Sequence, residues 1–224
     1  MTTPTHVTDP PLAAPQRAKP RLRGVFHQYA FFFFLACGIA LVATAASDRI
    51  RLAVSIYAAT VVALFGVSAL YHRITWPPRK RRLMRQLDHS MIFLLIAGTS
   101  TPFAALVLSK PLSQIMLYVV WVGALAGICM KFVWIDAPRW LVTGLYLALG
   151  WVAVAAVPQI IGQLGMLATC LLCAGGGLYT IGALIYAKRW PDPRPKSFGY
   201  HEIFHILVIG AASCHFAAIA FFIV

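Results

Sequence analysis

The sequence predicts an all-α, polytopic membrane protein of seven transmembrane helices with a cytoplasmic N-terminus. Three observations lead there. The 224 residues are 60% hydrophobic and only 11% charged, with a mean hydropathy of +0.78; a soluble domain of this size carries about 25% charged residues. The chain divides into uncharged runs long enough to cross a bilayer, each crossing needing roughly 20 apolar residues. Lys and Arg cluster in every second connection.

The runs follow in order. Gly24–Ser47, Leu52–His72, His89–Ser109 and Pro111–Met130 each suit one helix, and Ile203–Val224 suits the last. Trp140–Ala187 is too long for a single span. Pro158-Gln159, followed by Gly162 and Gln163, predicts a break between two helices, because proline removes a helical hydrogen bond and glycine loosens the backbone. Seven helices result. They form one membrane domain, residues 24–224, behind a disordered basic cytoplasmic tail, residues 1–23. The tail is proline-rich and has no apolar core, so it is neither a signal peptide nor a span.

The charge pattern orients the bundle. Arg17, Lys19, Arg21 and Arg23 precede helix one, and Arg73, Arg79, Lys80, Arg81, Arg82 and Arg85 follow helix two. Lys131 and Arg139 flank the link from four to five, and Lys188, Arg189, Arg194 and Lys196 join six to seven. The alternate connections hold only Arg49, Arg51 and Lys110. By the positive-inside rule the N-terminus is cytoplasmic and the C-terminus lies on the far side. This orientation is the reverse of G-protein-coupled receptors. Helix seven has no lysine for a retinal Schiff base.

The net charge of +13 does not point to nucleic acid, since basic clusters at membrane boundaries serve topology and contact with anionic lipid. Membrane lipids are the expected partners, and no protein partner is identifiable. Cys37, Cys129, Cys170, Cys173 and Cys214 lie in or beside apolar runs, which argues for helix packing and against a disulfide framework.

The chemistry concentrates at one depth. Ser68 and His72 close helix two and share a face at a spacing of four. Asp88 opens helix three, in its expected first turn, where a carboxylate within a span costs roughly 2.5–3.5 kcal/mol on insertion scales; the alternative is an interfacial acid favoured by the helix dipole. His201-Glu202-Ile203-Phe204-His205 matches H-E-x-x-H, whose helical spacing lets two imidazoles reach one zinc ion. The bland alternative is a pair of interfacial histidines. His72 supplies a third nitrogen, and a three-histidine set leaves a fourth position for water that ionises near pH 7. Glu202 points about 100° away from its neighbours around the helix, which argues against a zincin-style base. Asp88 is better placed for that work, and Ser68 either stabilises an oxyanion or bonds its own helix. His27 lies near the same end, whereas His215 lies about 15 Å deeper along helix seven. His89 is expected to face elsewhere.

Ser68-Ala69-Leu70-Tyr71-His72, Leu87-Asp88-His89-Ser90 with Ala97–Phe103, and His201–His205 together resemble the motifs of the hemolysin III family. That family is the bacterial branch of the progestin and adipoQ receptor group, which includes the adiponectin receptors; alkaline ceramidases are more distant relatives. The resemblance covers essentially residues 24–224. It implies a multi-pass protein of the bacterial plasma membrane with a Zn2+ ion held by His72, His201 and His205. It also implies Asp88 touching the metal through water, and Ser68 close by. The chain departs from the pattern at Arg23-Gly24-Val25-Phe26-His27, which lacks the acidic and Asn residues common before that histidine, and at Ser100, where Tyr is common. By analogy with ceramidases, the implied activity is hydrolysis of a lipid amide or ester, with Asp88 and Ser68 as catalytic residues. The alternatives are a membrane-lytic or channel-forming hemolysin and a non-enzymatic sensor of lipid state.

Overall fold

The computed structural model describes residues 20–224 and is all-helical, with no strand among the described residues. The expected tail lies outside them except for residues 20–23, of which 21–23 enter a turn that runs on to Gly24. The helices are α1 (Val25–Thr44), α2 (Asp48–Arg73), α3 (Pro78–Leu106), α4 (Leu112–Val133), α5 (Arg139–Trp151), α6 (Val157–Lys188) and α7 (Tyr200–Phe222), with a 3-10 segment, Val152–Ala156, between α5 and α6.

Boundary residues account for where the helices begin. Ser47 accepts a hydrogen bond from the Ile50 amide at 3.3 Å, and Asp48 sits in the first turn of α2, where a negative charge meets the helix dipole. Proline opens α3 at Pro78 and precedes α5 at Pro138; at a helix start its missing N–H has no intrahelical partner to lose. Because α3 starts at Pro78 and takes in Arg79–Arg82, Asp88 lies well beyond the first turn, not within it as expected. An N-terminal dipole therefore does not explain that carboxylate, since the effect fades within one turn.

Seven spans were expected, but six helical blocks are long and apolar enough to cross a membrane among the described residues. The difference lies in Arg139–Lys188, which counts as one block of 50 residues. Pro158 does not break it: the residue sits at the start of α6, where proline is tolerated. The interruption falls at Gly165, with φ 80° and ψ 178°, a backbone region reserved for glycine. The block doubles back there. The Arg139 guanidinium lies 5.6 Å from the centre of the Tyr186 ring, whereas a straight helix would part them by about 70 Å. Trp151 Nε1 donates to Thr180 Oγ1 at 3.3 Å, and Gln159 Oε1 accepts from the Ser109 amide at 2.9 Å near the turning end.

Two apolar clusters hold the bundle together. One joins Phe34 of α1, Tyr57 and Phe65 of α2, Leu95 of α3, and Val208 and Ile219 of α7. The other joins Phe93 and Ala97 of α3, Met116, Val120 and Ala124 of α4, and Ile160 of α6. Outside them Phe32, Phe33, Ile39, Tyr118, Met166, Leu167 and Phe221 are exposed. Helices apolar on all sides suit a lipid surrounding, in which such faces need no protein cover. All five cysteines are free.

Candidate metal centre

The C-terminal end of α2, the third turn of α3 and the first two turns of α7 meet at one end of the bundle. From α2 come Ser68 and His72, both buried; from α7 come His201 and the fully buried His205. His72 Nε2 and His201 Nε2 lie 3.2 Å apart. One nitrogen from each of His72, His201 and His205 lies within 4.8 Å of the other two. The three ring centres are 4.6–5.1 Å apart.

These residues fit a metal ion. Zn–N bonds of about 2.0–2.1 Å in tetrahedral geometry place ligand nitrogens about 3.3 Å from each other, close to the His72–His201 separation. The donors are imidazoles, which suit zinc. His205 Nδ1 is buried with no hydrogen-bond partner, a costly state for a polar atom in an apolar interior.

Asp88 flanks the triad from α3. Its Oδ2 is 3.8 Å from His72 Nε2 and 3.7 Å from His89 Nδ1, and the Ser68 hydroxyl hydrogen-bonds the carboxylate. His89 does not face away, as the sequence suggested. Its Nδ1 donates to the Arg85 carbonyl at 2.8 Å, while Tyr186 Oη lies 3.4 Å from Nε2. Tyr186 also packs against His201, ring centres 5.6 Å apart. His27 is buried and stacks on His205 at 3.7 Å, yet stays outside the three-nitrogen set. His215 is remote from the triad and pairs with the Leu172 carbonyl at 3.2 Å through Nε2.

Glu202 lies in the H-E-x-x-H stretch but takes no part in the triad. Its Oε1 receives the Arg23 Nε–H at 2.5 Å, and its Oε2 receives the Gly199 amide at 2.8 Å. Sequence reasoning treated Arg23 only as a topology signal and overlooked Tyr186. No local pattern pairs residues so far apart in the chain. Near the same end Arg85 binds Asp136 in the loop between α4 and α5, and its guanidinium holds that exposed carboxyl below the usual range.

A family model described as haemolysin-III related matches residues 15–216, which takes in all of α1–α6 and most of α7. The chain belongs to the haemolysin-III related family. Within the family it is 33% identical to Hemolysin-3 of Bacillus cereus over 171 residues, covering 76% of this chain and 75% of that one. It is equally 33% identical to the Hemolysin-3 homolog of Bacillus subtilis (strain 168), covering 76% of each. A more distant relative is the human Monocyte to macrophage differentiation factor, 26% identical over 168 residues, 73% of this chain and 67% of the other. That protein extends the relationship to the progestin and adipoQ receptor group. The family and the apolar helices identify a multi-pass membrane protein.

Proposed function

We propose that this haemolysin-III related protein is a zinc-dependent membrane hydrolase of a lipid amide or ester. The observation that carries the reading is the convergence of His72, His201 and His205, with ligand atoms within 4.8 Å of one another, beside a carboxylate held by Ser68. Zn2+ bound by these three residues would supply Lewis acidity toward a carbonyl and lower the pKa of water. Asp88 accepts the proton as water adds to the carbonyl carbon. It returns that proton to the leaving nitrogen or oxygen as the C–N or C–O bond breaks. Ser68 orients the carboxylate for both transfers. His27 and Phe65, packed at 5.0 Å, wall the site from bulk water.

The same reading places the N-terminus in the cytoplasm and gives seven crossings, the block Arg139–Lys188 contributing two. Basic residues in alternate connections support the orientation. The Arg139–Tyr186 contact supports the double crossing.

The name Hemolysin-3, carried by the Bacillus relatives, favours a second reading, a membrane-lytic or channel-forming protein. A pore needs a polar path across the bilayer, and here the buried histidines and Asp88 gather at one end. The hydrolase reading is therefore preferred.

Metal content per chain in detergent-purified protein tests it. Near one zinc per wild-type chain, lost in His72→Ala, is expected and opens a screen of lipid amides and esters. A folded wild type with no affinity for added zinc sinks the reading.

A further inference from the structure

The segment before α1 touches both helices that deliver the histidines. Arg21 and Leu22 donate their amides to the Lys196 and Ser197 carbonyls at 3.2 and 3.3 Å, fastening the segment to the connection between α6 and α7. Phe26 meets Phe198 edge-on at 6.2 Å. Gly24, at φ +80°, passes so close to α2 that an added Cβ would come within 2.6 Å of His72 Cβ. Only glycine combines that backbone conformation with that approach. One turn later His27 stacks on His205.

Arg23 stands at the middle of this strap. Its Nε donates to the fully buried Glu202, whose other oxygen caps the start of α7 through the Gly199 amide. The carboxylate is thus held from two sides. Because it lies between His201 and His205 in sequence, its placement sets the rotation of the helical turn that carries both. A charge pair of this kind in an apolar setting adds little net stability compared with an apolar replacement, but it defines one arrangement.

We propose that Arg23 and Glu202 are positioning residues of the histidine site: the pair latches the segment 20–24 across the first turn of α7, and so fixes His201 and His205 relative to His72. The proposal rests on the metal reading for its consequence, but its geometry stands without it. Removing Arg23 alone leaves a buried carboxylate uncompensated and invites misfolding. The informative variant is therefore R23M/E202Q, which removes both charges, with Arg23→Lys as the conservative control.

Two readouts decide the matter on full-length protein in detergent. In zinc-loaded protein, chelator-driven zinc release from R23M/E202Q is expected to be at least tenfold faster than from wild type, with an altered visible absorption spectrum after cobalt substitution. Arg23→Lys is expected to stay within threefold of wild type and to keep its spectrum. In metal-free protein, amide hydrogen exchange over residues 200–205 is expected to be at least tenfold faster in R23M/E202Q. Wild-type exchange in that turn, or wild-type release and cobalt spectrum in loaded R23M/E202Q, overturns the latch. A wild type unable to bind metal fails the metal reading instead, and the exchange measurement still decides whether the pair positions α7.

Discussion

His27 and His205 stack face to face, ring centres 3.7 Å apart and planes 13° apart, so the first helix braces an imidazole carried by the last. His27 contributes no nitrogen to the three-histidine set, and its role toward that set is packing. His27→Ala is expected to keep metal stoichiometry near that of wild type while weakening zinc affinity about tenfold. That factor corresponds to the roughly 1.4 kcal/mol that separates one decade of binding. Competition with a chromogenic chelator measures it. Loss of stoichiometry to the level of His72→Ala would make His27 a ligand.

Asp88→Asn removes the proposed proton acceptor while preserving shape and the hydrogen bond from Ser68. Turnover of a lipid amide or ester is expected to fall 10²–10⁴-fold, the usual contribution of a positioned general base, with metal content unchanged. Single-turnover assays on zinc-loaded protein make the comparison. Intact turnover in this variant would assign the proton transfer elsewhere.

Gly165→Ala tests the reversal within Arg139–Lys188. The added methyl meets open space, so the entire effect comes from φ 80° and ψ 178°. A non-glycine residue held there costs about 1–3 kcal/mol. Thermal unfolding in detergent should show the loss, while Pro158→Ala, at the helix start, should be close to neutral.

The proposed double crossing also has a topological consequence. A reporter active only outside the cytoplasm, fused after Val224, is expected to be active, and one inserted beside Lys196 inactive. If Arg139–Lys188 crossed once, the fusion after Val224 would be silent.

His215 packs its ring against Gly175 and is bonded to the Leu172 carbonyl, far along α7 from the triad. His215→Phe is expected to cost about 1–3 kcal/mol through overpacking of that close helix contact, with zinc binding and hydrolysis retained. A lytic or channel activity lost in His215→Phe but kept in Asp88→Asn would favour the pore.

Much of this arrangement was legible in the chain. Depth follows from counting along a helix, so Ser68, His72, His201 and His205 could be assigned to one level from spacing alone, and the uncharged runs marked the helices. What misled was local emphasis. The uncharged run begins just after Asp88 and so predicts the opening of α3 there, yet Arg79–Arg82 continue the helix past the apolar stretch; arginine and lysine are good helix formers. Pro158 predicts a break by its missing N–H, but a proline in a first turn lets a helix begin, and Gly165 carries the reversal instead.

By itself the sequence determined the membrane class, the family motifs and the end of the bundle where polar residues collect, because hydropathy and helical periodicity are properties of neighbours along the chain. Only the tertiary structure decided that Arg23 reaches Glu202, that His27 stacks on His205, that His89 turns toward Asp88 and Tyr186, and that Arg139 meets Tyr186 across a doubled-back block. Those pairings depend on which helix faces which. Packing of apolar faces selects that outcome among many that the same pattern of residues permits.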